Sequence, residues 1–232
     1  MKVLAIDTAM ESCSVALALG DQVIERYHEE ERSAERVLAL VDEALRAGAV
    51  ELEALRAIAF GRGPGAFTGV RLAASVTQGL AFGASLGVVP VSDLAAIAQR
   101  AFDSDPALRR VVVCSDARMR EVYWGCYERG GATGLAELTG TESVGKPEAV
   151  ALPAHWSPRD CHGVGTGFAV YPALQQLLAA DRIWGEPLGR LLPRAREVLR
   201  LALPEVRAGR LVPPEAAVPV YLRNEVAWAR SP

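Results

Sequence analysis

The chain has 232 residues, half of them hydrophobic and 23% charged, with a formal net charge of −3. This is ordinary globular composition, long enough to bury a sizeable core in one large domain or two small lobes, and it excludes disorder. The charge is uneven: residues 1–55 carry twelve Asp/Glu against five Lys/Arg, whereas residues 182–210 carry seven Arg against three Glu. An acidic front half is a poor surface for nucleic acid, and the basic stretch near the end reads as a solvated helix face.

The opening MKVLAID predicts a short buried strand ending on Asp7, too short and too soon charged for a signal peptide. Residues 12–19 and 23–30 predict two more strands, joined by a hairpin turn at Gly20-Asp21. Ser33 is a suitable N-cap for a helix over 33–47, in which Val37, Leu38, Val41 and Leu45 share an apolar stripe and Gly48 is a natural C-cap. A strand over 55–60 then enters the loop GRGPGAFTG at 61–69, and a helix follows to about Ser85. A strand over 87–91 and a helix from Ser92 to Phe102 complete the first lobe.

Asp103-Ser104-Asp105-Pro106 marks the lobe boundary. Beyond it, a strand over 109–115 runs to Asp116, and a second covers 122–127. A strand near 161–165 and helices near 168–179 and 193–208 precede a proline-marked tail. The expected division is a first lobe at 1–103, a reduced second lobe at 104–212, and a tail at 213–232 that packs back on the first lobe. Both lobes open on the same plan of apolar strand, Asp, short turn and second strand, as a duplicated two-lobe fold would.

The apolar stretch 70–91 contains Arg71, Thr77, Gln78 and three glycines and includes Pro90, so it is not expected to span a membrane; the expected location is the cytoplasm. The four cysteines (Cys13, Cys114, Cys126 and Cys161) are scattered without metal-ligand spacing and read as small buried hydrophobes in a reducing compartment. His28, His155 and His162 form no metal or catalytic pattern.

Two segments invite a functional reading. The loop at 61–69 places Gly63, Gly65, Thr68 and Gly69 at the start of a helix, where free N–H groups suit an anion, although Pro64 and the missing Gly-Lys-Ser/Thr argue against a nucleotide fingerprint. Asp7, Asp116 and Arg118 are the matching anion or metal candidates at the strand ends, with turn capping as their plain alternative. The helix after the loop is apolar on one face and small on another, with Ser75, Gly79 and Gly83 four apart beside Phe82. Interior glycines are tolerated where a second backbone comes close, either a helix of the same chain or another protein.

The segments LAIDTAMESCSVAL, GRGPGAFTGVR, DARMREVYW, GVGTG and PVYLRNEVAW occur in order over nearly the whole chain. Together they resemble the bacterial TsaB (YeaZ-like) family of tRNA threonylcarbamoyladenosine biosynthesis proteins, with Ala66 in place of the family's usual serine. The resemblance implies an α/β, two-lobed actin-like or Hsp70-like (ASKHA) fold with a reduced second lobe. It also implies a non-catalytic scaffold or activator subunit with no cofactor of its own. The partners would be a catalytic TsaD-like subunit and a TsaE-like ATPase, which would hold the ATP and the metal ion, and tRNA would be met mainly through the complex. By the same resemblance the first two helices dock on TsaD, here through the 37–45 stripe and the 75–83 face, and a homodimer is an option for the chain alone. A free-standing ATPase or kinase of the same fold, and a direct tRNA-binding module using the arginines at 190–210, remain as competing readings.

Overall fold

The computed structural model describes residues 1–10, 12–28, 36–178, 180–183 and 191–223. The first sheet contains β1 (Lys2–Asp7), β2 (Cys13–Leu19), β3 (Gln22–His28), β4 (Ala57–Gly61) and β5 (Gly87–Val91) in the order β3-β2-β1-β4-β5. β1, β2 and β3 pair antiparallel as consecutive hairpins, while β4 and β5 add in parallel through helical crossovers.

Side chains of different size point to the two faces of this sheet, and that difference assigns its helices. Leu4, Ile6, Val15, Leu17, Ile58 and Phe60 line one face and pack against α1 (Val37–Ala47) and α2 (Phe67–Gly83). Val3, Ala5, Ala16, Ala18, Ala57 and Ala59 line the other, where α6 (Ala195–Arg207) lies close on a bed of small residues. The sequence reading places this helix in the second lobe; in the structure its Val198, Leu199, Ala202 and Val206 belong to the core of the first. The physical reason is that a sheet buried on both faces needs a second helical layer, and α1 and α2 supply only one.

The second sheet contains β6 (Arg110–Asp116), β7 (Val122–Arg129), β8 (Ala136–Gly145) and β9 (His162–Val164) in the order β8-β7-β6-β9. One face carries the short helices α4 (Gly167–Val170) and α5 (Pro172–Gln175). Against the other lies α3 (Asp93–Ser104), whose Leu94, Ile97, Ala101 and Phe102 meet Val111, Val113 and Tyr127. This helix leaves the first sheet directly after β5 and packs on the second, so it joins the lobes as a structural element. Its N-cap is Ser92, which accepts a hydrogen bond from the Ala95 amide. The Ser33 cap lies outside the described residues, and α1 is described from Arg36 onward. Gly48 keeps a negative φ, and Ala49 takes the left-handed turn; what Gly48 supplies is room for Leu17 and Leu19.

The tail returns to the first lobe as far as it is described. Ala217 is buried among the residues under α2, and the Val220 amide donates to the Arg62 carbonyl.

Two glycines of α2 make opposite predictions. A methyl group on Gly69 would collide with the Thr8 carbonyl, whereas on Gly79 it would meet nothing within 4 Å. Gly69→Ala is expected to cost about 2–4 kcal/mol despite alanine's higher helix propensity, and Gly79→Ala to gain about 0.5–1 kcal/mol. Urea denaturation of the two variants measures both.

Candidate protein-interaction site and the inter-lobe cleft

Helix α1 turns most of its apolar stripe inward. Val37 and Val41 are buried against the sheet with Leu40 and Ala44, and Leu45 packs on the same core. As partner-facing residues Val37 and Val41 are therefore corrected: their spacing serves the chain's own core. Leu38 is left outward, 57% exposed.

Helix α2 has two faces of different character. Val70, Ala73, Ala74, Thr77 and Ala81 are buried, and Leu72, Val76 and Leu80 pack partly beneath the helix. Ser75, Gly79, Phe82 and Gly83 point away, with Phe82 77% exposed. Among the described residues nothing of the chain approaches the Cβ positions of Gly79 and Gly83. The two glycines therefore accommodate no close helix within those residues. An open cavity of about 590 Å³ continues the apolar surface beyond Phe82, bounded by Leu86, Leu211 and Pro213.

The loop before α2 is shaped by its fit to the β1–β2 turn. Gly65 and Gly69 let the backbone of Thr8 and Ala9 come into contact, and a Cβ at either position would strike it. The Ala66 amide donates to the Ala9 carbonyl at 2.7 Å, and the Thr8 hydroxyl donates to the Gly69 carbonyl at 2.7 Å. Gly63 adopts φ +95°, a conformation that favours glycine, and precedes a cis proline. Thr68 is exposed in the first turn of α2. These glycines thus serve a backbone-to-backbone contact.

Asp7 and Asp116 occupy separate environments. Asp7 Oδ1 accepts from the Ala9 amide at 2.8 Å, and Asp116 Oδ1 accepts from the Arg118 amide at 2.9 Å and the Tyr171 hydroxyl at 2.7 Å. The Arg118 guanidinium lies 3.2 Å from Asp116 Oδ2. Among the described residues no group of three or more ligating side chains converges as a metal site. The glycine run of the second lobe is filled from within: a Cβ on Gly163 would meet Phe168 and Leu178, and Gly165 and Gly167 lie against the Cys114 backbone.

The partner of Asp7 is Asp93, the first residue of α3, which sequence reasoning did not identify. β5 is a parallel neighbour of β4, so the residues following it come to the same sheet end as Asp7, and that adjacency was the available signal. Both carboxyls are fully buried, with Asp7 Oδ1 and Asp93 Oδ1 facing the same point above Gly61, and Asp93 Oδ2 accepts from the Gly63 amide at 2.5 Å, which leaves Asp93 Oδ1 as the oxygen placed to share a proton with Asp7. Gly61 supplies the space, since a Cβ there would press on both. Two carboxyls joined this way retain a proton. Burial pushes Asp7 up to about 6, and burial together with the Asp7 charge pushes Asp93 well above the carboxylate range. Glu142 of β8 adds negative charge nearby; it accepts from Ser92 and from the Tyr127 hydroxyl at 2.6 Å and lies 3.7 Å from Arg62.

Two arginines of α6 and the residue before it are engaged by the chain itself. Arg196 faces Glu25 at 3.8 Å, Arg200 faces Asp103 at 3.0 Å, and Arg194 lies over the Tyr27 ring. Arg190 lies outside the described residues. All four cysteines are buried free thiols, and burial raises Cys13 and Cys126 to about 12. Among the described residues no helix is long and apolar enough to cross a membrane.

Residues 26–228 match the family model described as TsaD, tRNA N6-adenosine threonylcarbamoyltransferase. The tRNA threonylcarbamoyladenosine biosynthesis protein TsaB of Escherichia coli is 40% identical over all of this chain and 99% of its own length. The Haemophilus influenzae protein of the same name is 37% identical over all of this chain and 98% of its own. Among solved structures, YeaZ from Pseudomonas aeruginosa superposes with a TM-score of 0.82 at 42% identity, covering 95% of this chain and 99% of that one. A second Pseudomonas aeruginosa structure, described as similar to peptidase YeaZ, gives 0.83 at 43% identity, with 96% and 99% covered.

The buried carboxyl pair sets a pH dependence. Both folded pKa values exceed the unfolded value, so the folded state holds extra protons above about pH 4, and stability falls as pH rises through about 6 and beyond. Asp93→Asn keeps an acceptor for Gly63 and supplies a donor to Asp7 without the second charge. It is expected to stabilise the protein by about 1–3 kcal/mol at pH 7.5, with the gain vanishing towards pH 4. Urea midpoints of both proteins across that range test this; a gain independent of pH would contradict the shared proton.

Proposed function

Because the chain belongs to the TsaB (YeaZ-like) family of tRNA threonylcarbamoyladenosine biosynthesis proteins, we propose that it is a non-catalytic subunit presenting the outer face of α2 to a catalytic TsaD-like partner. Its two-lobed actin-like fold and its role in tRNA threonylcarbamoyladenosine formation within a TsaD-containing complex follow from that membership. The observation that carries the docking proposal is the uncovered face of α2. Phe82 stands in solvent beside two glycines that leave space for a second backbone. A close helix–helix contact uses such small residues, and a large exposed ring is a natural anchor in the partner's pocket. Leu38 adds apolar surface from α1 on the same side of the sheet.

The non-catalytic reading rests on how the candidate groups are engaged. Asp7 and Asp93 hold each other, Asp116 caps its own turn, and Phe168 and Leu178 fill the space beside Gly163. In this reading the chain needs no cofactor of its own, and ATP and the metal ion reside in partner subunits. A TsaE-like ATPase joins the assembly in the cytoplasm, and a homodimer through α2 occurs when the partner is absent.

Phe82→Asp and Gly79→Leu are each expected to weaken association with the TsaD-like subunit at least tenfold, about 1.4 kcal/mol, while the fold melts normally. Val41→Asp is expected to unfold the chain instead, because it buries a charge in the core. Isothermal titration and thermal melts separate the two results. Unchanged affinity in both α2 variants would reject the interface. The isolated chain is expected to show no ATP turnover, and a robust rate abolished by Asp7→Ala would overturn the non-catalytic reading.

A further inference from the structure

Two sequence segments with no role in docking through α2 meet in space. The β6–β7 hairpin tip carries Arg118, Met119 and Arg120, all with positive φ between 54° and 60°. Three consecutive left-handed residues without a glycine are rare, because each side chain crowds its own carbonyl. The tip is held by its closing bonds, Ala117 amide to Glu121 carbonyl and Glu121 amide to Arg118 carbonyl. It is also held from outside: the Arg223 guanidinium donates to the Ala117 carbonyl and the Glu121 carboxylate, and reaches Met119 Sδ. What the clamp presents is Met119, 70% exposed, between two exposed arginines.

Two residues before Arg223, Tyr221 joins a second exposed group. Its hydroxyl accepts from Arg71 Nε at 2.7 Å, and its ring centroid lies 6.0 Å from that of Phe67. The Arg71 guanidinium sits 3.5 Å above the Phe67 ring, which is 58% exposed. Tyr221 and Arg223 are two residues apart, so one short segment contacts both the aromatic group and the hairpin tip. The segment 220–223 thus bridges the two lobes, bonded to Arg62 and Arg71 on one and to Ala117 and Glu121 on the other.

Around it stand four arginines, 71, 118, 120 and 223, against two carboxylates, Asp116 and Glu121, on a chain whose net charge is −3. We propose that Phe67, Arg71, Tyr221, Arg118, Met119 and Arg120 form one surface that binds unpaired nucleotides of RNA. Arg118 and Arg120 take phosphates; the rings and the thioether take bases, while Arg71 stiffens the aromatic platform. Alternating guanidinium and π faces suit a single strand, whose bases are free to stack. The left-handed tip matters because it fixes where the two arginines point. The inference rests on the tRNA role proposed above and gives this subunit a direct share in holding the substrate.

The test is binding of a fluorescein-labelled anticodon stem–loop RNA to the full chain, alone and assembled with its TsaD-like partner, across a salt series. Arg118→Glu with Arg120→Glu is expected to weaken binding at least tenfold and to lower the slope of log affinity against log salt by about one to two. Phe67→Ala is expected to weaken binding several-fold and leave the slope unchanged. Partner association, measured on the same preparations, is expected to be unaffected by the double charge reversal. If that reversal impairs folding, Arg118→Ala with Arg120→Ala answers the same question. RNA affinity within twofold of the wild type overturns the proposal, as does absence of RNA binding by the wild-type chain in both settings. Loss of partner association with RNA binding intact shows a protein-docking tip and overturns it too. Failure of the α2 interface is read separately, from Phe82→Asp and partner affinity without RNA.

Discussion

The contact between the β4–α2 loop and the β1–β2 turn governs the functional surfaces of this protein. Gly65 and Gly69 bring two backbones together where any side chain would hold them apart, and Thr8 and Ala9 fasten the contact with hydrogen bonds. That contact sets the position from which α2 starts. With its start fixed, Val70, Ala73, Ala74 and Ala81 face the sheet, and Ser75, Gly79, Phe82 and Gly83 face outward. The same loop supplies the Gly63 amide to Asp93, the Arg62 carbonyl to the tail and Phe67 to the aromatic group. The outer face of α2, the carboxyl pair and the 220–223 segment therefore share one anchor.

The lobes are joined by more than their linker. Helix α3 begins at the buried Asp7–Asp93 pair and packs on the second sheet, α6 returns from the far part of the chain to cover the first, and residues 220–223 cross the outer edge. Here carboxyls, glycines and the tail are committed to the chain's own contacts, in keeping with a subunit that offers a defined surface to others. The buried pair makes part of that cohesion dependent on a proton.

Several features were legible in the sequence because their cause is local. Alternating apolar runs and hairpin turns gave the strands, helical spacing gave α1 and α2, and Ser92 announced α3 through the chemistry of its hydroxyl. The strand β8 was not legible, since Ala136–Gly145 is mostly polar and only half-buried at a sheet edge and carries no apolar period. The outward set on α2 was legible as an unusual pattern of small residues, but its exposure was not.

What the sequence determined by itself, then, was the type of most elements, the loop that glycine and proline impose, the family, and the small face of α2. Those follow from periodicity, backbone freedom and ordered motifs, all read along the chain. Only the tertiary structure decided that Val37 and Val41 face inward, that α6 belongs to the first lobe, that Asp7 pairs with Asp93, and that Arg223 clamps the 118–120 tip. Each of those pairs positions distant in sequence, and no local preference encodes which distant partner a residue will meet.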